Sequence, residues 1–219
     1  MTKLGSDNDP IRQRLFASQS MNELLQGSEP REGSGPFQSI ASAARLLADG
    51  KKEEAISCLR AILSLDNLET RIQLWVWSAL RELGEQPEVS FAWEILGVVI
   101  EVPMKGAYDT LAAYQDGSAR YLNFSSSSIF WDRPDEVIKG LCGALLRSVV
   151  PAGSRAKPRL SISLPKSGLH ATLLTRSGIY VISDPPESVI KTAAMLMREL
   201  IHRTNSARGQ TGPNQQMSM

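Results

Sequence analysis

One stretch occurs twice and limits what this chain can fold into. Residues 132–139 read Asp-Arg-Pro-Asp-Glu-Val-Ile-Lys, and residues 184–191 read Asp-Pro-Pro-Glu-Ser-Val-Ile-Lys, 52 positions on (132 to 184) with no gap. Each copy has the signature of a helix start: an Asp suited to cap, a proline in the first turn, and an acid three residues after the Asp (Asp135, Glu187). An amphipathic run follows each. Val137, Ile138, Leu141, Leu145 and Val149 form the first stripe, and Val189, Ile190, Ala193, Leu196, Met197, Leu200 and Ile201 the second.

Strand patterns precede each copy. Residues 98–102 read as a strand stopped by Pro103. Residues 110–114 and 119–123 flank Asp116-Gly117, a dipeptide that supplies the positive φ a tight hairpin needs. Ile129-Phe130-Trp131 leads into Asp132. In the second half Leu160, Ile162 and Leu164 alternate up to Pro165, then 170–175 and 179–182 flank a turn at Arg176-Ser177-Gly178. Shifted by 52, the strands near 110–114 and 160–164 coincide, as do the later hairpin turns. Each unit therefore reads β-β-β-α, with 98–102 as an extra strand. The fold class expected is α+β: two such units paired about a pseudo-twofold into one mostly antiparallel sheet, both helices on one face. The open face then needs cover, from the helices expected to carry Trp75, Trp77, Phe91 and Trp93, from a second copy, or from a partner.

Upstream the period is helical. Ile40, Ala43, Ala44 and Leu47 form one stripe, ended by Asp49-Gly50, and Ala55, Ile56, Leu59, Ile62 and Leu63 form another. Leu46-Leu47-Ala48-Asp49-Gly50-Lys51-Lys52-Glu53-Glu54-Ala55-Ile56, followed by Leu59, Ile62 and Asp66, resembles a tetratricopeptide repeat, with Asn67 where that family has proline. A second hairpin, expected from Ile72, Leu74, Trp75, Leu80 and Leu83 into Val89, Ala92, Trp93, Ile95 and Leu96, resembles the repeat more loosely. The resemblance covers residues 37–96 and implies stacked helical pairs that hold peptides. Two hairpins fall short of a free-standing array, so they are expected to lean on the next domain. Leu111 to Asn123 resembles an uncharacterised bacterial protein family, which adds no site residues. The organisation expected is a polar tail and linker over 1–36, with a marginal amphipathic helix at Ile11, Leu15, Met21, Leu24 and Leu25, a helical module over 37–96, the duplicated domain over 97–204, and a polar tail over 205–219.

No chemistry stands out. A net charge of +1 argues against nucleic acid as a partner. No leader is seen at the first residues and no apolar run approaches a membrane span, so the expectation is a cytoplasmic protein. Cys58 and Cys142 sit in apolar helical patterns and read as buried free thiols. His170 and His202 have no ligand-spaced companions, so neither a metal nor a cofactor is expected. Asp109, unlike its neighbours Asp116, Asp132 and Asp135, has no local role as turn or cap. An acid–base enzyme would place it in a pocket with Tyr114, Arg120 and Tyr121. Arg147, Arg155, Lys157, Arg159 and Lys166 make the one basic concentration.

The function expected is a non-enzymatic protein-binding adaptor or assembly factor, with a protein or peptide in the groove between helices and sheet. Its candidate contact residues are Trp75, Trp77, Tyr114, Arg120, Tyr121, Arg155, Lys157 and Arg159. The alternation of helix and strands also resembles type III secretion chaperones, which implies a homodimer as the alternative; the third reading is the acid–base enzyme.

Overall fold

The computed structural model describes residues 10–26 and 35–209, apart from 106 and 126. Most of the expected linker and the outer parts of both tails lie outside the described residues. Five helices come first: α1 (Pro10–Phe16), α2 (Met21–Gln26), α3 (Pro36–Ala48), α4 (Lys52–Ile62) and α5 (Thr70–Glu82). The Asp49-Gly50 turn joins α3 to α4 as expected. Gly50 sits at φ +74°, its N–H donates to Leu47 O (3.1 Å), and Lys51 N–H donates to Leu46 O (2.8 Å). That pattern satisfies the last carbonyls of α3 and needs a residue free of Cβ strain at its centre. The second helical hairpin does not form. α5 ends before Gly84, residues 85–94 are irregular, and Ile95 opens a strand. Pro87 interrupts any helix there, and the apolar β-branched run Val98-Val99-Ile100 draws Ile95 and Leu96 into the sheet. A stack of helical pairs is therefore not present among the described residues.

The sheet is α+β in the expected sense: seven strands, all pairs antiparallel. The strands are β1 (Ile95–Met104), β2 (Ala107–Tyr114), β3 (Ala119–Leu122), β4 (Ser128–Trp131), β5 (Lys157–Pro158), β6 (His170–Thr175) and β7 (Gly178–Ser183), in the order β4-β3-β2-β1-β6-β7-β5. α6 (Glu136–Val149) and a short 3-10 turn (Val150–Arg155) follow β4, and α7 (Glu187–Gly209) follows β7.

The pairing is twofold about the Val99–Ala112 pair. Val98 lies opposite Ala113 and Leu173, and Leu111 lies opposite Ile100 and Tyr121. Exchanging β1 with β2 thus carries β6 onto β3 and β7 onto β4. The duplication is present, but one strand is not where the sequence placed it. Residues 160–164 form no strand, and β1, upstream of both units, takes that place in the second half. Pro158 and Pro165 lack the N–H a ladder requires. The Arg159 guanidinium takes the carbonyls of Ser161 and Ser163, both at 2.8 Å, that a strand would have used.

The helix starts also differ from expectation. Asp135, not Asp132, caps α6: its Oδ1 accepts from Val137 N (3.0 Å) and Ile138 N (3.2 Å). Asp184 lies at φ +50°, three residues before α7, with its N–H on Leu169 O (2.9 Å). The identical Val-Ile-Lys tripeptides are out of step by one residue. Ala119 and Tyr121 match Ala171 and Leu173 at an offset of 52, whereas the buried helix positions Ile138, Cys142, Leu145 and Val149 match Val189, Ala193, Leu196 and Leu200 at 51. The loop between paired Leu122 and Ser128 spans five residues, that between paired Leu174 and Ile179 four, which accounts for the slip.

Both unit helices lie on one face, as expected. Val98, Ile100, Leu111, Ala113 and Tyr121 pack there against α6 and α7. The opposite face, carrying Val99, Ala112 and Tyr114, is covered by α1 and α3–α5. Trp75 on α5 supplies part of that cover, but Phe91 and Trp93 do not. The stretch Glu136–Arg155, with mean hydropathy 1.2, reaches the length and composition of a membrane span. In this fold it is an amphipathic helix whose apolar stripe packs on the sheet.

Candidate functional site

The four residues of the acid–base reading do not share a pocket. Alternation along β2 and β3 puts Asp109 and Tyr121 on the α6/α7 face and Tyr114 and Arg120 on the other. Asp109 has a local role after all. Its Oδ2 accepts from Tyr121 Oη (2.9 Å) and its Oδ1 from Phe124 N (2.8 Å), pinning the β3–β4 loop. Burial, reinforced by Asp109, pushes the Tyr121 phenol up to about 12. Arg120 is buried, donates to Ala119 O (2.8 Å) and Trp131 O (3.2 Å), and is paired with Asp132. It ties the edge strand to its neighbour.

A cleft of about 450 Å³ opens between residues 67–71, the β2–β3 turn and the β4–α6 connection. Four of its five carboxylates, all but that of Glu136, are engaged with the protein. Glu69 pairs with Arg71, Asp132 with Arg120, and Asp135 caps α6 and pairs with Arg203 at 2.7 Å. Asp116 accepts from Thr70 N (2.8 Å) and Ser118 N (2.9 Å). Burial alone would raise the Asp116 carboxyl, but these hydrogen bonds outweigh it and hold the group below its ordinary value. The cleft thus knits three loops together. Among the described residues no group of three or more acids, histidines or cysteines could hold a metal ion. Both cysteines are free, and burial pushes the Cys142 thiol up to about 12.

Three candidate contact residues converge elsewhere, on residues 10–20. Trp75 Nε1 donates to Gln19 O (2.9 Å), Tyr114 Oη donates to Leu15 O (2.7 Å), and the Arg159 guanidinium lies 5.0 Å from the centre of the Phe16 ring. Beneath them Glu101 is 0% exposed. Its Oε2 pairs with Arg159 at 2.5 Å and its Oε1 with Arg12. Thr172 Oγ1 is a further partner of Arg159, at 2.6 Å. Glu101 was missed in the sequence although the signal was there: it is the one charged residue in the apolar run Leu96–Val102. Trp77, half-buried on α5, packs against the same core.

Of the candidate contact residues, Arg155 and Lys157 alone are exposed. They lie at the β5 end of the sheet, beside an apolar ledge. Val89 is 91% exposed, Trp93 57%, Phe91 51% and Leu160 98%. The loop that carries the first three is anchored by its backbone and its polar groups. Ser177 N–H donates to Ala92 O (3.0 Å), Arg176 pairs with Glu94 (2.6 Å) and lies 5.6 Å from the Phe91 ring centre, and Trp93 meets Tyr180 with ring centres 4.4 Å apart. Pro158 pairs with Tyr180 across the sheet edge, and Leu160 follows two residues later. Trp93 and Phe91 had been expected as helical core; loss of that helix puts them outside.

Compared with known protein families, with characterised proteins and with solved structures, the chain matches none.

Proposed function

We propose that this protein is a non-enzymatic protein-binding adaptor that docks a partner on the ledge of Val89, Phe91, Trp93 and Leu160. One observation carries the reading: large apolar side chains stand in water on a loop anchored by Arg176, Glu94 and Ser177. Grouped apolar exposure of this kind marks interaction sites, and tryptophan is enriched where binding energy concentrates. A loop already anchored loses less conformational entropy on binding. Exposed Arg155 and Lys157 beside it favour a partner with acidic groups at its rim.

The test compares the wild-type chain with Val89→Asp/Trp93→Ala as baits at physiological salt. Loss of a central tryptophan contact costs about 2 kcal/mol or more, some thirtyfold in affinity. Proteins retained by the wild type should be lost from the variant, with circular dichroism unchanged and the thermal midpoint lowered by only a few degrees through loss of the Trp93–Tyr180 contact. No specific partner on the wild type, or equal retention on both, refutes the ledge as a docking site. A dimer seen by light scattering in the wild type and absent in the variant identifies the partner as a second copy.

A further inference from the structure

α1 has seven residues and α2 six, both below the length at which a helix stands alone in water. The body of the protein holds them, and it does so as it would hold a peptide. Body side chains donate to segment carbonyls, Tyr114 to Leu15 O and Trp75 to Gln19 O. One segment side chain runs the other way: Arg12 pairs with Glu101, and its Nε donates to Ile162 O at 2.7 Å. Leu15 and Phe16, three and four residues after Arg12, share its helix face and are buried. The Phe16 ring centre lies 5.3 Å from the Arg12 guanidinium and 5.0 Å from that of Arg159.

Charge supports a removable occupant. Arg12 and Arg159 engage different oxygens of Glu101. With the segment out, Glu101 and Arg159 remain a one-to-one buried pair. With it in, the buried cluster carries one excess positive charge, so Arg12 is not needed to neutralise Glu101. Residues 27–34, which connect α2 to α3 in sequence, read Gly-Ser-Glu-Pro-Arg-Glu-Gly-Ser and lie outside the described residues.

We infer that the groove between helices and sheet is a peptide-recognition site for a short helix bearing an arginine followed three and four positions later by two large apolar side chains. Residues 10–20 are its internal occupant, displaced when a partner helix of that pattern binds. The inference stands independently of the ledge. A tethered occupant competes at an effective concentration of about 1 mM, so a free peptide of micromolar affinity binds the intact chain about a thousandfold more weakly than the opened groove.

The experiment uses the full chain with a site-specific protease site placed within residues 27–34, and a fluorescent synthetic peptide of residues 9–26. Before cleavage, micromolar peptide should leave anisotropy unchanged. After cleavage it should bind saturably while the original fragment elutes separately on gel filtration. Unlabelled peptide carrying Arg12→Ala/Phe16→Ala should compete at least a hundredfold more weakly. An uncut full chain with Arg12→Ala/Phe16→Ala in its own segment should take up wild-type peptide that the uncut wild type refuses. A cut chain that stays folded yet neither releases nor exchanges the segment overturns the inference. So does a body that unfolds once the fragment leaves, a folded uncut variant that takes up no peptide, or equal competition by the altered peptide.

Discussion

Glu101→Gln tests the electrostatics on which the helical face of the sheet is built. Glu101 is on the central strand, fully buried, and is the carboxylate facing both Arg12 and Arg159. Glutamine keeps the shape but offers one acceptor oxygen and one donor nitrogen, so one guanidinium meets a donor and neither meets a charge. Breaking a buried ion pair by removing one partner costs about 3–5 kcal/mol, because the charge left behind is uncompensated. In a chain of this size that corresponds to roughly 6–20 °C in thermal midpoint. Arg12→Ala is the contrasting change. It leaves the Glu101–Arg159 pair intact but strips one hydrogen bond from Ile162 O and one from Glu101 Oε1, a loss of about 1–3 kcal/mol at each buried acceptor. Urea unfolding followed by tryptophan fluorescence and circular dichroism measures both, with the slope checked for constancy. If Glu101→Gln costs less than about 1 kcal/mol, the carboxylate is not the anchor of this face.

Two further outcomes follow from the turns and caps. Asp135→Ala removes the α6 cap and costs about 0.5–2 kcal/mol, with faster hydrogen exchange at the Val137 and Ile138 amides, whereas Asp132→Ala leaves those amides protected. Asp116 has a carboxyl held below its ordinary 3.8 in the folded state, so the stability it contributes is present above that value and is lost as pH falls through the lower folded value. Urea midpoints of the wild type between pH 5 and 2 should therefore fall more steeply than those of Asp116→Asn; parallel curves exclude this role.

The legible parts of the fold were those decided locally. Asp49-Gly50 closes the α3–α4 hairpin, Gly117 closes β2–β3 at φ +86°, and alternation located β3, β6 and β7. The illegible parts were decided by competition at a distance. Ile95 and Leu96 fit a helical stripe with Ala92, but they also continue a strand run, and the sheet centre offers more burial: Leu96 is fully buried there. Leu160, Ile162 and Leu164 alternate like a strand, yet Arg159 is drawn to Glu101, 58 residues away in sequence, and takes the local carbonyls with it. Nothing in the neighbourhood of Arg159 announces that partner. The candidate contacts were misplaced for the same reason. Arg159 sat in a run of basic residues that suggested a surface, and its charge is spent inside.

The repeat shows why recognising a duplication differs from recognising its register. The matching letters, Val-Ile-Lys on Val-Ile-Lys, place Val137 on Val189. Burial places Ile138 on Val189, and leaves Val137 half in solvent. What the two halves share is a hairpin whose second strand feeds a helix back onto the same face, and that geometry tolerates a one-residue difference in the hairpin loop because the helix can turn its stripe to the sheet afterwards. An identity-based alignment has no term for that rotation. The symmetry of the pairing has a second consequence. Because β1 completes the second half from upstream, residues 159–166 are released from the ladder and become a wall of the groove that receives Arg12 and Phe16. In the first half the equivalent residues remain in the sheet as β2, and α6 begins five residues after β4 ends. A groove of this kind therefore arises in the second half, where the duplicated unit gave up its own strand.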